Sequence, residues 1–204
     1  MSSTLPPLVD EAALADYLRN QLPGEGDVSV TRHQAGHSNE TFFVDWSNRK
    51  LVLRRPPLGA FLPTAHDVLR EYRVLSALDA LEVRTPQTIL SCDDESIIGS
   101  PFYLMERVDG VVIRTELPDA YPPADRGPIG DELVDSLVEL HSVDYESCGL
   151  GSLGKPTGYL ERQLRRWGGQ LELTLPHTRP LPQLLEVGRW LGEKRPESPP
   201  TTIV

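Results

Sequence analysis

The 204 residues are 39% hydrophobic, which is enough apolar matter for a core and excludes a disordered chain. With 30 acidic against 20 basic side chains the net charge is −10 and the pI near 5.0, the wrong sign for general affinity toward nucleic acid or an anionic membrane surface. Two cysteines, Cys92 and Cys148, lack metal-type spacing, so neither a disulfide framework nor a zinc site is indicated. The start, MSSTLPPLVDEAAL, has no basic stretch followed by an apolar run, and no segment approaches the ~20 apolar residues that span a bilayer. The chain reads as cytoplasmic, with neither membrane nor nucleic acid as a partner, and its oligomeric state is not set by the sequence.

In chain order, Asp10 is an N-cap for a first helix carrying Leu14, Tyr17, Leu18 and Leu22, and Pro23-Gly24 ends it. Three strands follow, Val28–His33, Thr41–Trp46 and Lys50–Arg55, the last two joined by a turn at Ser47-Asn48 and the third closed by Pro56-Pro57. A helix from His66 to Leu81 comes next. Strands at Gln87–Ser91 and Pro101–Arg107 are separated by the polar turn Asp93-Asp94-Glu95. Residues 117–130, LPDAYPPADRGPIG, are too rich in proline and glycine for a regular element and read as a linker. Beyond it Leu133, Leu137 and Leu140 form a helical stripe, followed by helices over Thr157–Gln170 and Pro182–Glu193. The fold class is α+β, an antiparallel sheet with one inserted helix followed by a helical region. Domain bounds fall at 1–110, a linker at 111–130, and 131–204.

Three places in this order carry chemistry. The turn QAGHSNETF joins two strands, and Gly36, His37, Ser38 and Asn39 could bring backbone N–H groups close to a phosphate, because glycine leaves the approach open; an ordinary hairpin loop is the alternative. His33 and His37, four apart across a strand and turn, are not spaced as a helical metal pair. Alternation along the third strand sends Arg54 and Arg55 to opposite faces, so that one of them faces a cleft. On the following helix Glu71 falls inside the apolar arc of Val68, Tyr72, Leu75 and Leu78, where a carboxylate needs a partner, and Arg54 is the natural one; the alternatives are that Glu71 reaches solvent at the edge of the arc or pairs with Arg70 or Arg73. At Met105-Glu106-Arg107-Val108 an apolar strand gives way to polar chain, and the Glu106 carbonyl and Val108 amide could meet the edge of a nucleobase; a plain core strand leaving a sheet is the alternative.

The run from Gln34 to Gly110, with LVDSLVELHSVD and PTGYLERQLRRW, resembles the aminoglycoside phosphotransferase family within the protein-kinase-like fold. VLRRPP is similar to the branch found as a kinase domain alongside acyl-CoA dehydrogenases. The resemblance implies two lobes, with ATP and Mg2+ used to transfer a phosphoryl group to a hydroxyl of a small molecule, aminoglycoside-like or hydroxyacyl-CoA-like. The nucleotide would be held by Gly36, His37, Ser38, Asn39, Arg54, Glu71, Met105, Glu106 and Val108. Two departures accompany it. Arg54 stands where most members carry lysine, and the His-Gly-Asp loop with an asparagine five residues on has no counterpart: after His141-Ser142-Val143-Asp144, position 149 is glycine. The reading is therefore a small-molecule kinase cut off before its catalytic loop, with PPTTIV as the strand leading into it and the metal ligands lying beyond. The alternative is a nucleotide-binding module or pseudokinase without catalysis.

Overall fold

The structure, a computed structural model, describes residues 8–33, 39–57, 66–81, 83–113, 115–119, 121–198 and 200–203. The chain divides into two compact units, 1–139 and 140–204.

The first unit is built on a five-stranded antiparallel sheet: β1 (Ser29–His33), β2 (Glu40–Trp46), β3 (Arg49–Arg55), β4 (Thr88–Cys92) and β5 (Phe102–Glu106). Their spatial order is β1-β2-β3-β5-β4. β2 and β3 turn through Ser47 and Asn48, both at positive φ (48° and 62°), the backbone that suits the right-handed twist of a two-residue hairpin and that asparagine tolerates. The period of two then sorts the side chains. Phe42, Val44, Trp46, Leu51, Leu53, Phe102 and Leu104 are buried on one face.

That face is covered by α1 (Glu11–Gln21), whose Leu14 and Leu18 are wholly buried in the same cluster, and Tyr17 meets Phe102 edge-on at 5.7 Å between ring centres. Burying each such leucine contributes about 1.5–3 kcal/mol. Asp10 caps α1 as its sequence predicts, accepting from the amides of Ala12 and Ala13 at 3.0 Å each.

The opposite face carries Thr41, Phe43, Val52, Arg54, Tyr103 and Met105, as the registers Thr41↔Arg54↔Tyr103 and Phe43↔Val52↔Met105 require. Helix α2 (Val68–Leu78) packs against β4 and β5 there, and Tyr72 lies 6.0 Å from Tyr103. Asp67 caps it through the Arg70 amide at 2.9 Å.

Two segments differ from their sequence reading. After Asp93 the chain forms a short helix, α3 (Glu95–Ile98), because Asp94 accepts from the Ser96 amide at 2.9 Å and Gly99, at φ 79°, closes the turn. Within the expected linker Pro123–Asp125 make a 3-10 turn that runs directly into α4 (Arg126–His141). Pro128 stands in the first turn of α4, where an amide has no intrahelical partner to lose, so it is compatible with the helix. Arg84 ties the loop before β4 to α4 through Glu139 (2.9 and 2.8 Å) and Glu132 (2.5 Å).

The division between the two units falls inside α4. The second unit contains α5 (Tyr159–Thr174), a 3-10 turn at Leu175–His177, and α6 (Pro182–Glu193). Residues 200–203 form no strand; the Thr201 and Thr202 hydroxyls instead donate to the carbonyls of Pro156 (2.5 Å) and His141. A strand needs a neighbour to pair with, and among the described residues of this unit there is none. No described helix is long and apolar enough to cross a membrane.

Candidate functional site

The two arginines at the end of β3 take opposite roles because they take opposite faces. Arg55 is 3% exposed on the α1 side. Its guanidinium donates to the carbonyls of Leu8, Pro56 (3.4 Å) and Ile98 (3.2 Å), and burial lowers its pKa. It meets carbonyl oxygens rather than a carboxylate, one of them at the C-terminal end of α3 where the helix dipole favours a cation. Arg55 is thus a tie between β3, the chain before α1 and α3.

Arg54, on the other face, pairs with Glu71 as the helical wheel predicts. Nε donates to Oε2 and Nη2 to Oε1, each at 3.2 Å, a two-pronged contact of fork on carboxylate, while Nη1 donates to the Thr41 hydroxyl at 3.1 Å. The ion pair closes to 3.1 Å with a quarter to a third of each side chain exposed, so the head groups border the solvent rather than the core.

Glu71 receives two further bonds. The Asn39 side-chain amide donates to Oε1 at 2.6 Å, and the Tyr103 hydroxyl donates to Oε2 at 3.1 Å. Tyr103 is 2% exposed, and burial first, then the Glu71 charge, push its pKa above the usual tyrosine range. Asn39 is itself buried, and its carbonyl oxygen meets His66 Nδ1 at 3.2 Å. The entrance to β2, strand β3 and strand β5 therefore converge on one carboxylate in the first turn of α2.

Of the residues singled out in the sequence, Arg54, Glu71 and Asn39 come together here. Gly36, His37 and Ser38 lie outside the described residues. Met105 sits on the same sheet face, in register with Val52 and Phe43, and the exposed Val108 follows where β5 leaves the sheet. Between them Arg107 turns back over the sheet, its guanidinium 5.1 Å from the centre of the Phe43 ring and 3.9 Å from Asp45. Sequence reasoning missed Tyr103 and Thr41. Their signal is parity: both stand directly across from Arg54 in the register, so they share its face.

His141-Ser142-Val143-Asp144 closes α4. Asp144 accepts from the amides of Glu146 (3.1 Å) and Ser147 (3.2 Å), so its carboxylate serves a turn. His33 rests on Phe43 at 4.6 Å between ring centres. Among the described residues no group of three or more His, Cys, Asp or Glu side chains is placed to hold a metal ion. The basic run on α5 is spent locally. Arg162 binds the carbonyls of Thr157 and Lys155, Arg165 pairs with Glu161 at 2.9 Å, and Arg166 lies over Trp167.

Comparison with known proteins places this arrangement. Acyl-CoA dehydrogenase family member 11 of Rattus norvegicus is 36% identical over 194 residues, covering 93% of this chain and 25% of that protein. The chain thus spans about a quarter of the length of the curated relatives it matches. A crystal structure of a Ralstonia eutropha protein described as a candidate aminoglycoside phosphotransferase superposes with a TM-score of 0.75 at 35% identity, over 93% of this chain and 54% of that one. The GDP complex of aminoglycoside 2'-phosphotransferase-IIIa shares the fold, with a TM-score of 0.60 at 20% identity over 87% and 57% of the two chains. The fold is thus the protein-kinase-like one. A model of the phosphotransferase enzyme family matches residues 29–204, and this chain belongs to that family.

Proposed function

We propose that this chain carries the nucleotide-binding part of a small-molecule kinase, in which ATP is gripped by the face of the sheet that bears Arg54 and its γ-phosphoryl group goes to a hydroxyl. The observation that carries the reading is the two-pronged Arg54–Glu71 pair in this fold. A cation on the third strand, fixed by a carboxylate on the next helix, is what holds nucleotide phosphates in kinase-type lobes. The turn holding Gly36, His37, Ser38 and Asn39 would cover the phosphates through backbone N–H groups. Met105 would line the base, with the Glu106 carbonyl and Val108 amide at its edge. Mg2+ would be expected to accompany the nucleotide and screen its charge; among the described residues no side-chain group is assigned to hold it. The named relative is an acyl-CoA dehydrogenase family member, which favours a hydroxylated acyl-CoA or a similar metabolite over an aminoglycoside as acceptor.

Calorimetric titration of the chain with ATP, with and without magnesium, tests this. Arg54→Ala is expected to weaken binding at least about tenfold, since bonds to charged groups contribute about 1.5–3 kcal/mol each. Glu71→Ala acts through Arg54 and is expected to cost less. Equal ATP affinity in the two variants and the unchanged chain would overturn the assignment.

A further inference from the structure

Glu71 is held more tightly than pairing with Arg54 requires. Its Oε1 accepts from Asn39 and from Arg54 Nη2, its Oε2 from Tyr103 and from Arg54 Nε. Each oxygen thus takes one bond from a fixed neighbour and one from the guanidinium. Tyr103 is anchored in the central sheet as the cross-strand partner of Arg54 itself. Asn39 stands at the entrance to β2, and its other end meets His66 just before α2. A carboxylate with both oxygens pinned by rigid neighbours cannot rotate about its last torsion, so the plane of the guanidinium facing it is set as well.

Of a guanidinium's five N–H groups, three are engaged here, Nε and Nη2 by Glu71 and Nη1 by Thr41. One hydrogen remains on each terminal nitrogen, two donors in a common plane, the pattern that matches two oxygens of a phosphate. A lysine here would carry one nitrogen. Its three N–H groups could serve Glu71 and Thr41 and leave one donor, but they would present no planar pair.

We propose that Asn39 and Tyr103 are positioning residues: by fixing both oxygens of Glu71 they aim the Arg54 fork at the nucleotide phosphates, which makes this an arginine-specific phosphate site that lysine does not restore. The inference rests on the nucleotide reading above. It reaches beyond it by assigning work to two uncharged side chains and by making Arg54→Lys a damaging change.

The test titrates the full chain and the variants Tyr103→Phe, Asn39→Ala and Arg54→Lys with two probes, ATP and adenosine. Tyr103→Phe and Asn39→Ala are each expected to weaken ATP about 3- to 10-fold, the loss of one bond to a charged group seen through its partner, and to leave adenosine affinity unchanged. Arg54→Lys is expected to weaken ATP about tenfold or more, and adding Tyr103→Phe to it should cost nothing further, because the fork is already gone. If Asn39→Ala does not fold, Asn39→Asp keeps the volume and sets a second carboxylate against Glu71, with the same expected loss. Unchanged ATP affinity in Tyr103→Phe and Asn39→Ala, or full affinity in Arg54→Lys, would overturn the proposal while leaving the nucleotide site standing. Equal losses for ATP and adenosine would assign the two side chains to fold support and overturn it as well. Absence of ATP binding by the unchanged chain would overturn both readings together.

Discussion

Tyr103 donates its hydroxyl to Glu71 from a position 2% exposed, and its proton is held above the ordinary tyrosine range by burial and then by the Glu71 charge. Tyr17 is raised as well, to about 12, by burial and by its bond with Cys92. Groups whose folded pKa is raised give stability that is complete below the unfolded value, near pH 10, and is lost as pH climbs toward the folded one. At pH 11 an unfolded tyrosine is mostly ionised while the buried Tyr103 hydroxyl is not, a loss of up to about 1.4 kcal/mol, and Tyr17, which borders solvent, loses less. Urea unfolding at pH 8 and pH 11 should show that fall, and Tyr103→Phe should remove the larger part of it. A fall of the same size in the variant would mean that Tyr103 titrates normally.

The chain leaving α1 crosses the β2–β3 hairpin at close range. Gly24, at φ 156°, has Ser47 Oγ and Trp46 Cη2 at 2.7 and 2.9 Å from where a Cβ would stand, and the Glu25 amide donates to Ser47 Oγ at 3.3 Å. Gly26 has a comparable backbone (φ 104°) with nothing within 4 Å. Gly24→Ala is expected to cost about 2–4 kcal/mol from overpacking plus backbone strain, and Gly26→Ala about 1–2 kcal/mol from strain alone. Thermal midpoints of the two variants decide it; equal shifts would mean that the hairpin yields to the added methyl. Gly24 also marks what the sequence could show. Pro23-Gly24 reads correctly as the end of a helix, but the hairpin it abuts lies more than twenty residues on, and local signals carry no such distance. The same limit explains Asn39 and Tyr103. Periodicity placed Glu71 on the inward face of α2 and parity placed Arg54 opposite Arg55, which gave the pair. The two further donors on Glu71 depend on strand register, which turn chemistry and tertiary packing set together. In 117–130 composition misled, because a proline in the first turn of a helix counts as a breaker by residue type and as neutral by position.

The buried apolar residues are unevenly shared. All of those described lie between Val9 and Phe102–Leu104 in the first unit except Leu150, while in the second Trp167, Leu173, Leu184, Val187 and Trp190 are among the exposed large side chains. Resistance to local opening follows burial. Hydrogen exchange should therefore show the slowest amides in β2, β3 and β5, with those of α5 and α6 exchanging at least about a hundredfold faster; uniform protection across both units would contradict this. The first unit, meanwhile, is a two-sided object hung on the parity of one strand. Arg54 and Arg55 are neighbours with incompatible surroundings, one needing a carboxylate and water, the other a ring of carbonyls. Inserting or deleting a single residue in β3 would exchange them, turning the α1 side and the Glu71 side inside out at once. Such a frame error touches no individual contact that a substitution could not also touch, yet it spoils both surfaces together, so added length is expected to be tolerated only at the hairpin tip at Ser47-Asn48, where the reading frame of neither face is at stake.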